Sequence, residues 1–259
     1  DLDPQRLMEA KERATAYGVI DKVRFIQGNI MDVDASKANV VSMYLLNSVN
    51  FMIRPKLFQE LQPGTRCVAH AFHMSDWEVD KLIQHPKARN KTINLWIIPA
   101  HLGGTWKWET RTPNETVKSS ANFVQTFQRV SGAVNFDGTR DVNMADPFVE
   151  GKSVSFTARV NYKGAGVDVK YQGIAEGDII RGTQEWKGGQ HSGKYVWFAR
   201  RDAAGVLGTW EVTSGGALSN MGGTLTLKKA GNKIAASYYV KSEGREEGIR
   251  QVYVWGNSV

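Results

Sequence analysis

The sequence predicts an α/β segment, an incomplete sheet of mostly parallel strands with helices on its faces, followed by an all-β, barrel-like region. Three observations predict it. Strand-like and helix-like runs alternate over residues 1–98. After Pro99 the texture turns Gly-dense and Pro-poor, with short strand-like runs between turns. The 41% apolar and 23% charged composition is that of a folded globular chain.

Asp1-Leu2-Asp3-Pro4 reads as a strand end running into a helix, with Asp3 as N-cap and Pro4 in the first turn. Leu7, Ala10, Ala14 and Tyr17 recur at helical spacing, and Gly18 suits the C-terminal cap. A parallel βαβ unit needs a strand ahead of that helix, so residues are expected to precede Asp1. Residues 23–27 read as a strand stopped by Gly28-Asn29, and 40–45 as a buried strand. Residues 50–61 read as a helix, with Pro55 near a second helix start. Pro63-Gly64 is a turn, 65–72 a third strand, and 93–98 closes the sheet.

In the β-region, strands are expected at 123–127, 154–160, 167–171, 178–182 and 195–199. Leu102-Gly103-Gly104-Thr105-Trp106 echoes Val206-Leu207-Gly208-Thr209-Trp210, and Tyr195-Val196-Trp197 echoes Tyr253-Val254-Trp255. The expected division is 1–98, 99–201 as a β-barrel-like domain, and 202–259 as a second, shorter β-unit. Trp106, Trp108, Trp186, Trp197, Trp210 and Trp255 are candidate core anchors.

No run approaches the ~18 consecutive apolar residues of a membrane span. Thirty-three Lys and Arg against 26 Asp and Glu give a net +7, spread without like-charge blocks. That pattern indicates no specific nucleic-acid groove. Cys67 is the one cysteine, which excludes an internal disulfide and fits a reducing, cytoplasmic compartment.

Several segments in order resemble the C-terminal two-thirds of a class I S-adenosylmethionine-dependent methyltransferase domain. Asp1-Leu2-Asp3-Pro4 resembles the acidic end of that family's second strand. Tyr17-Gly18-Val19 with residues 23–29 resembles the next helix, strand and loop. Tyr44-Leu45-Leu46-Asn47-Ser48-Val49-Asn50 and Arg54-Pro55-Lys56-Leu57 follow the fourth strand. Pro63-Gly64-Thr65-Arg66 and His70-Ala71-Phe72-His73-Met74-Ser75-Asp76-Trp77 resemble the fifth strand and its exit. This last pair is similar to the lysine methyltransferases of the ATP synthase c-subunit and their bacterial relatives. The resemblance implies a Rossmann-like sheet and S-adenosylmethionine as cofactor. The family's first strand and Gly-rich turn are not in this sequence, so cofactor binding is expected only when that N-terminal part is supplied.

The resemblance gives Asp1 the ribose hydroxyls, at the carboxyl ends of the strands. It places Asn29 and the Ile30 N–H at the adenine, with Asp32 a second candidate; an ordinary turn at Gly28-Asn29 is the competing reading. Tyr44 and Asn47 are the candidate catalytic residues, with Asn50 beside them, where the fourth strand opens toward an acceptor. Tyr44 as a core aromatic, and the two Asn as helix caps, are the alternatives. His70, His73 and Asp76 invite a metal, but residues three apart on a strand face opposite sides, so no metal is expected.

Two functions follow. One is a methyltransferase, an enzyme by resemblance, acting on a protein amine such as lysine. The other is a non-catalytic binding or scaffold protein, a truncated methyltransferase fold with a β-barrel that docks a partner polypeptide. A truncated sheet exposes an edge, which points to an oligomer or a second polypeptide.

Overall fold

The computed structural model describes residues 1–84, 92–202, 208–212, 223–230, 233–240 and 245–249. Two units divide the chain, Asp1–Ile98 and Pro99–Val259.

In the first unit, helix α1 (Pro4–Ala16) begins as its sequence dictates: the Gln5 N–H donates to Asp3 Oδ1 at 2.9 Å. It ends at Gly18, whose φ of 65° lets the chain turn out of the helix. Its apolar stripe is not a core face, since only Ala14 is buried and Tyr17 is exposed. Residues 23–27 do not form the expected strand. They meet a single partner residue: Asp1 N–H donates to Ile26 C=O at 3.1 Å, and Gly28 N–H to Asp1 C=O at 2.9 Å. Two bonds flanking Gln27 in this way are one rung of a parallel ladder. A strand needs a row of such rungs, and one is present.

The sheet of this unit is built from β1 (Val40–Met43), β2 (Arg66–His70), β3 (Lys81–Gln84) and β4 (Thr92–Ile97), in the order β1-β2-β4-β3. Only β1 and β2 are parallel, with Val40 opposite Arg66. The sheet is therefore mixed rather than mostly parallel. The strand expected to close it, β4, runs antiparallel between β2 and an edge strand, β3, that the sequence reading missed. Every residue of β3 is exposed, so it carries no apolar alternation to read.

Helix α2 (Asn47–Glu60) starts three residues earlier than expected and continues through Pro55 without a second start. Its buried face is Asn50, Ile53, Leu57 and Phe58. The buried Trp77 ring stands edge-on to Phe58 at 5.6 Å and lies 6.5 Å from the buried Trp96.

Cys67 is fully buried on β2, and burial pushes its thiol up to about 12. An unfolded thiol releases its proton near 9.0, whereas the folded one holds it. This contribution to stability is whole below the unfolded value and is lost as pH climbs through that window. We expect the native protein at pH 8 to resist a thiol-titrating disulfide reagent that modifies it stoichiometrically in denaturant. Rapid native modification would contradict the burial.

In the second unit, nine strands follow in sequence: β5 (Gly104–Arg111), β6 (Thr116–Thr126), β7 (Arg129–Phe136), β8 (Val142–Asn143), β9 (Ala145–Glu150), β10 (Ser153–Tyr162), β11 (Ala165–Glu176), β12 (Ile179–Lys187) and β13 (Gly193–Arg201). Their order in one antiparallel sheet is β8-β7-β6-β5-β13-β12-β11-β10-β9. The two ends of that order, β8 and β9, are consecutive in the chain and joined through Met144, so the sheet returns on itself as a nearly closed barrel. Strands β5, β10 and β11 alternate buried and more exposed residues, as half-buried antiparallel strands do.

The barrel core holds Trp106, Trp108, Trp186 and Trp197 with Phe123, Phe136, Phe156 and Tyr171. Where β11 and β12 cross, Gly173 lies opposite Gly182; a Cβ at Gly182 would stand 2.0 Å from the Gln172 carbonyl oxygen. A second sheet holds β14 (Gly208–Val212), β15 (Gly223–Ala230), β16 (Lys233–Val240) and β17 (Arg245–Ile249), antiparallel and in chain order. The Gly-Thr-Trp echo starts a strand in each case, β5 at Gly104 and β14 at Gly208. The echo at 253–255 and Trp255 lie outside the described residues.

Candidate active site

The carboxyl end of β1 leads through Tyr44 and Leu46 into the start of α2, and the segment after β2 folds over that start. Ala71 and Ser75 adopt φ of 62° and 58°, left-handed values uncommon for residues with a side chain. Hydrogen bonds pin this loop. Asn47 Oδ1 accepts from the His73 N–H at 3.0 Å. The Phe72 carbonyl accepts from Asn94 Nδ2 at 3.0 Å and, at 3.5 Å, from Asn50 Nδ2. Arg54 donates to the Met74 carbonyl at 2.9 Å and pairs with Asp76. Met74 and Trp77 are buried, and Trp96 Nε1 donates to the Trp77 carbonyl at 3.0 Å.

The result is a cleft of about 450 Å³ lined by Asn47, Ser48, Phe51, His73 and Ser75. Tyr44 is 83% exposed, and its ring stacks on His70, centroids 4.9 Å apart. Tyr44 is thus no core aromatic, and its hydroxyl stands open to an incoming group. Asn47 lines the cleft and also fixes the loop opposite it. Asn50 is wholly buried, so its part is to hold the Phe72 carbonyl rather than to meet a substrate.

Phe51 and Ser48 are cleft residues that sequence reasoning missed. A helix begun at Asn47 would have shown Phe51 four positions on, along the same face. Asp76 is engaged by Arg54, and among the described residues no group of His, Cys, Asp and Glu is placed to hold a metal ion.

The second cluster gathers around the single parallel rung. Asp1 pairs with Gln27, and Asn29 follows directly after that strand-like segment. One Asp1 carboxylate oxygen, Oδ1, accepts from the Asp3 N–H at 3.0 Å. Asn29 Oδ1 caps the short turn Ile30–Asp32 by accepting from the Met31 N–H at 3.0 Å. That turn lies against α2, the helix that forms the cleft.

The family match falls on this unit. Residues 1–81 match the ANTKMT methyltransferase domain family. Over 102 residues, 39% of this chain, the sequence is 37% identical to a protein-lysine N-methyltransferase of Saccharolobus islandicus (strain REY15A). A solved RNA methyltransferase of Salinibacter ruber, in complex with S-adenosyl-L-homocysteine, is 39% identical over 39% of this chain, with a TM-score of 0.37. The chain spans 63% of the first relative and 65% of the second. The likeness to methyltransferases is thus carried by the family match over residues 1–81, under a third of the chain.

Proposed function

We propose that residues 1–98 form the acceptor-facing part of an S-adenosylmethionine-dependent methyltransferase whose acceptor is a protein lysine. The observation that carries this reading is the pairing of the 1–81 family match with a cleft at the exit of β1. The 37% identity to a protein-lysine N-methyltransferase supports the acceptor class.

The residues present suit the adenosine half of the cofactor. The Asp1 carboxylate, at the end of a parallel rung, would accept from the ribose hydroxyls. Asn29 and the Ile30 N–H would meet the adenine edge. The methionine half needs a Gly-rich turn, and Gly18, Gly28 and Gly64 are the only glycines in residues 1–98. When bound, the cofactor supplies a methyl group already activated on a sulfonium.

The chain's own work is to orient the acceptor and keep water out. The exposed Tyr44 hydroxyl would hold the acceptor nitrogen, and Phe51 would wall the cleft. Asn47 is a positioning residue, acting through the His73 backbone. A lysine attacks only as the free amine, so the acceptor must shed its proton before transfer.

The test is calorimetric titration of S-adenosylhomocysteine into a form carrying a first strand and Gly-rich turn ahead of Asp1. We expect saturable binding, weakened about ten-fold or more by Asp1→Ala, the loss of one charge-assisted hydrogen-bond partner. No binding to a folded protein would remove the enzyme and leave the scaffold reading.

A further inference from the structure

Strands β5 and β13 are paired over only three residues, with Trp106, Lys107 and Trp108 opposite Arg201, Arg200 and Ala199. Beyond Trp108 they splay. The Asp202 N–H donates to the Thr105 carbonyl at 2.7 Å, which fixes the phase of the ladder. By the two-residue period, Glu109 and Arg111 on one lip, and Val196 and Phe198 on the other, turn their backbone groups toward the gap. One substitute closes the seam from inside: buried Gln184 donates to Thr110 Oγ1 at 2.7 Å and to the Val196 carbonyl at 3.1 Å.

Outside the seam lies a groove of about 900 Å³. Its floor is apolar. Val196 is 72% exposed, and Phe198 lies between the guanidinium groups of Arg181 and Arg200 at 5.8 and 5.2 Å. Its rim is basic. Lys107 is neutralised by Asp202 at 2.5 Å, whereas among the described residues no carboxylate is paired with Arg111, Lys118 or Arg200. Glu109 is the one acid in the lining, directly across from Lys118.

We propose that this seam binds an acidic polypeptide segment in extended conformation, laid along the open lips of β5 and β13. Unpaired strand edges take up backbone donors and acceptors, which a small anion does not supply. Alternate side chains of an added strand point the same way. Acidic side chains reach Arg111, Lys118 and Arg200, while apolar ones settle on Val196 and Phe198. The site belongs to the β-unit alone and stands apart from the methyltransferase reading.

The experiment is fluorescence anisotropy of the full chain with a labelled peptide of alternating Glu and Val. We expect saturable binding that weakens about ten-fold in Arg111→Glu combined with Lys118→Glu, whose fold is checked by circular dichroism. The same peptide N-methylated at alternate amides keeps its charge but loses ladder donors, and it is expected to bind several-fold more weakly. An alternating Lys and Val peptide is expected not to bind. Equal binding of the N-methylated peptide overturns the proposal, as does tighter binding of oligothymidylate or oleate. So does an unchanged affinity in the folded double variant, or no binding of the Glu-Val peptide at all.

Discussion

Replacing Trp106 by Ala is expected to destabilise the barrel by about 3–5 kcal/mol, the range for emptying a core aromatic site. The ring is fully buried, and its Nε1 donates to the Leu102 carbonyl at 2.6 Å. The Arg201 guanidinium lies over its face at 4.4 Å. Arg201 is itself held by Asp178 at 2.9 Å and by the carbonyls of Gly103 and His101. Burial pushes the Arg201 pKa down, and the hydrogen bond and charge of Asp178 push it back up. Removing Trp106 takes away one wall of this half-buried cation's site and breaks the ladder at its Arg201 rung. Urea unfolding of the full chain, followed by near-ultraviolet circular dichroism, measures the cost. Trp106→Phe, which keeps most of the volume, should recover much of it. A loss below about 1.5 kcal/mol in the Ala variant would mean that the site is not packed as described.

Gln184→Ala is the second large effect. The Gln184 amide serves three groups, donating to Thr110 and Val196 and accepting from Trp186 Nε1 at 3.0 Å. Each buried group left without its partner costs about 1–3 kcal/mol, so about 3–5 kcal/mol in total is expected, less than strict additivity because the groups share one network. Gln184→Glu separates hydrogen bonding from shape. A buried carboxyl has a raised pKa, and in its protonated form it can still donate one hydrogen bond. That variant should be closest to the parent at low pH and lose stability as pH rises through its folded pKa. A flat difference across pH 4–8 would contradict the donor role.

Local signals carried much of the fold and fewer of the site residues. Asp3, Pro4 and Gly18 bounded α1 because capping is decided within a few residues. The Trp residues of the barrel read as core because a large ring has little else to do, and Trp106, Trp108, Trp186 and Trp197 are buried. Residues 23–27 read as a strand on composition, but a strand is a relation between segments, and one rung is what they have. Leu82 and Ile83 in β3 are exposed at 53% and 47%, so no alternation marked them. Around the cleft, Tyr44 and Asn47 stood out because they follow an apolar run expected to be a buried strand, although only Met43 of β1 is buried. Phe51 did not, because its role depends on where α2 begins. The basic groove could not be read at all: Arg200 is far in sequence from Arg111 and Lys118, and the three meet only through strand pairing.

Every neighbour pair in the nine-strand order is consecutive in the chain except β5 with β13. The ring is thus a string of hairpins, each able to form from nearby residues, and its circumference is completed by a single long-distance joint. Nearly all the chain entropy of ring closure is set against this one short joint, so the girdle shuts last and its clasp is the first place to let go.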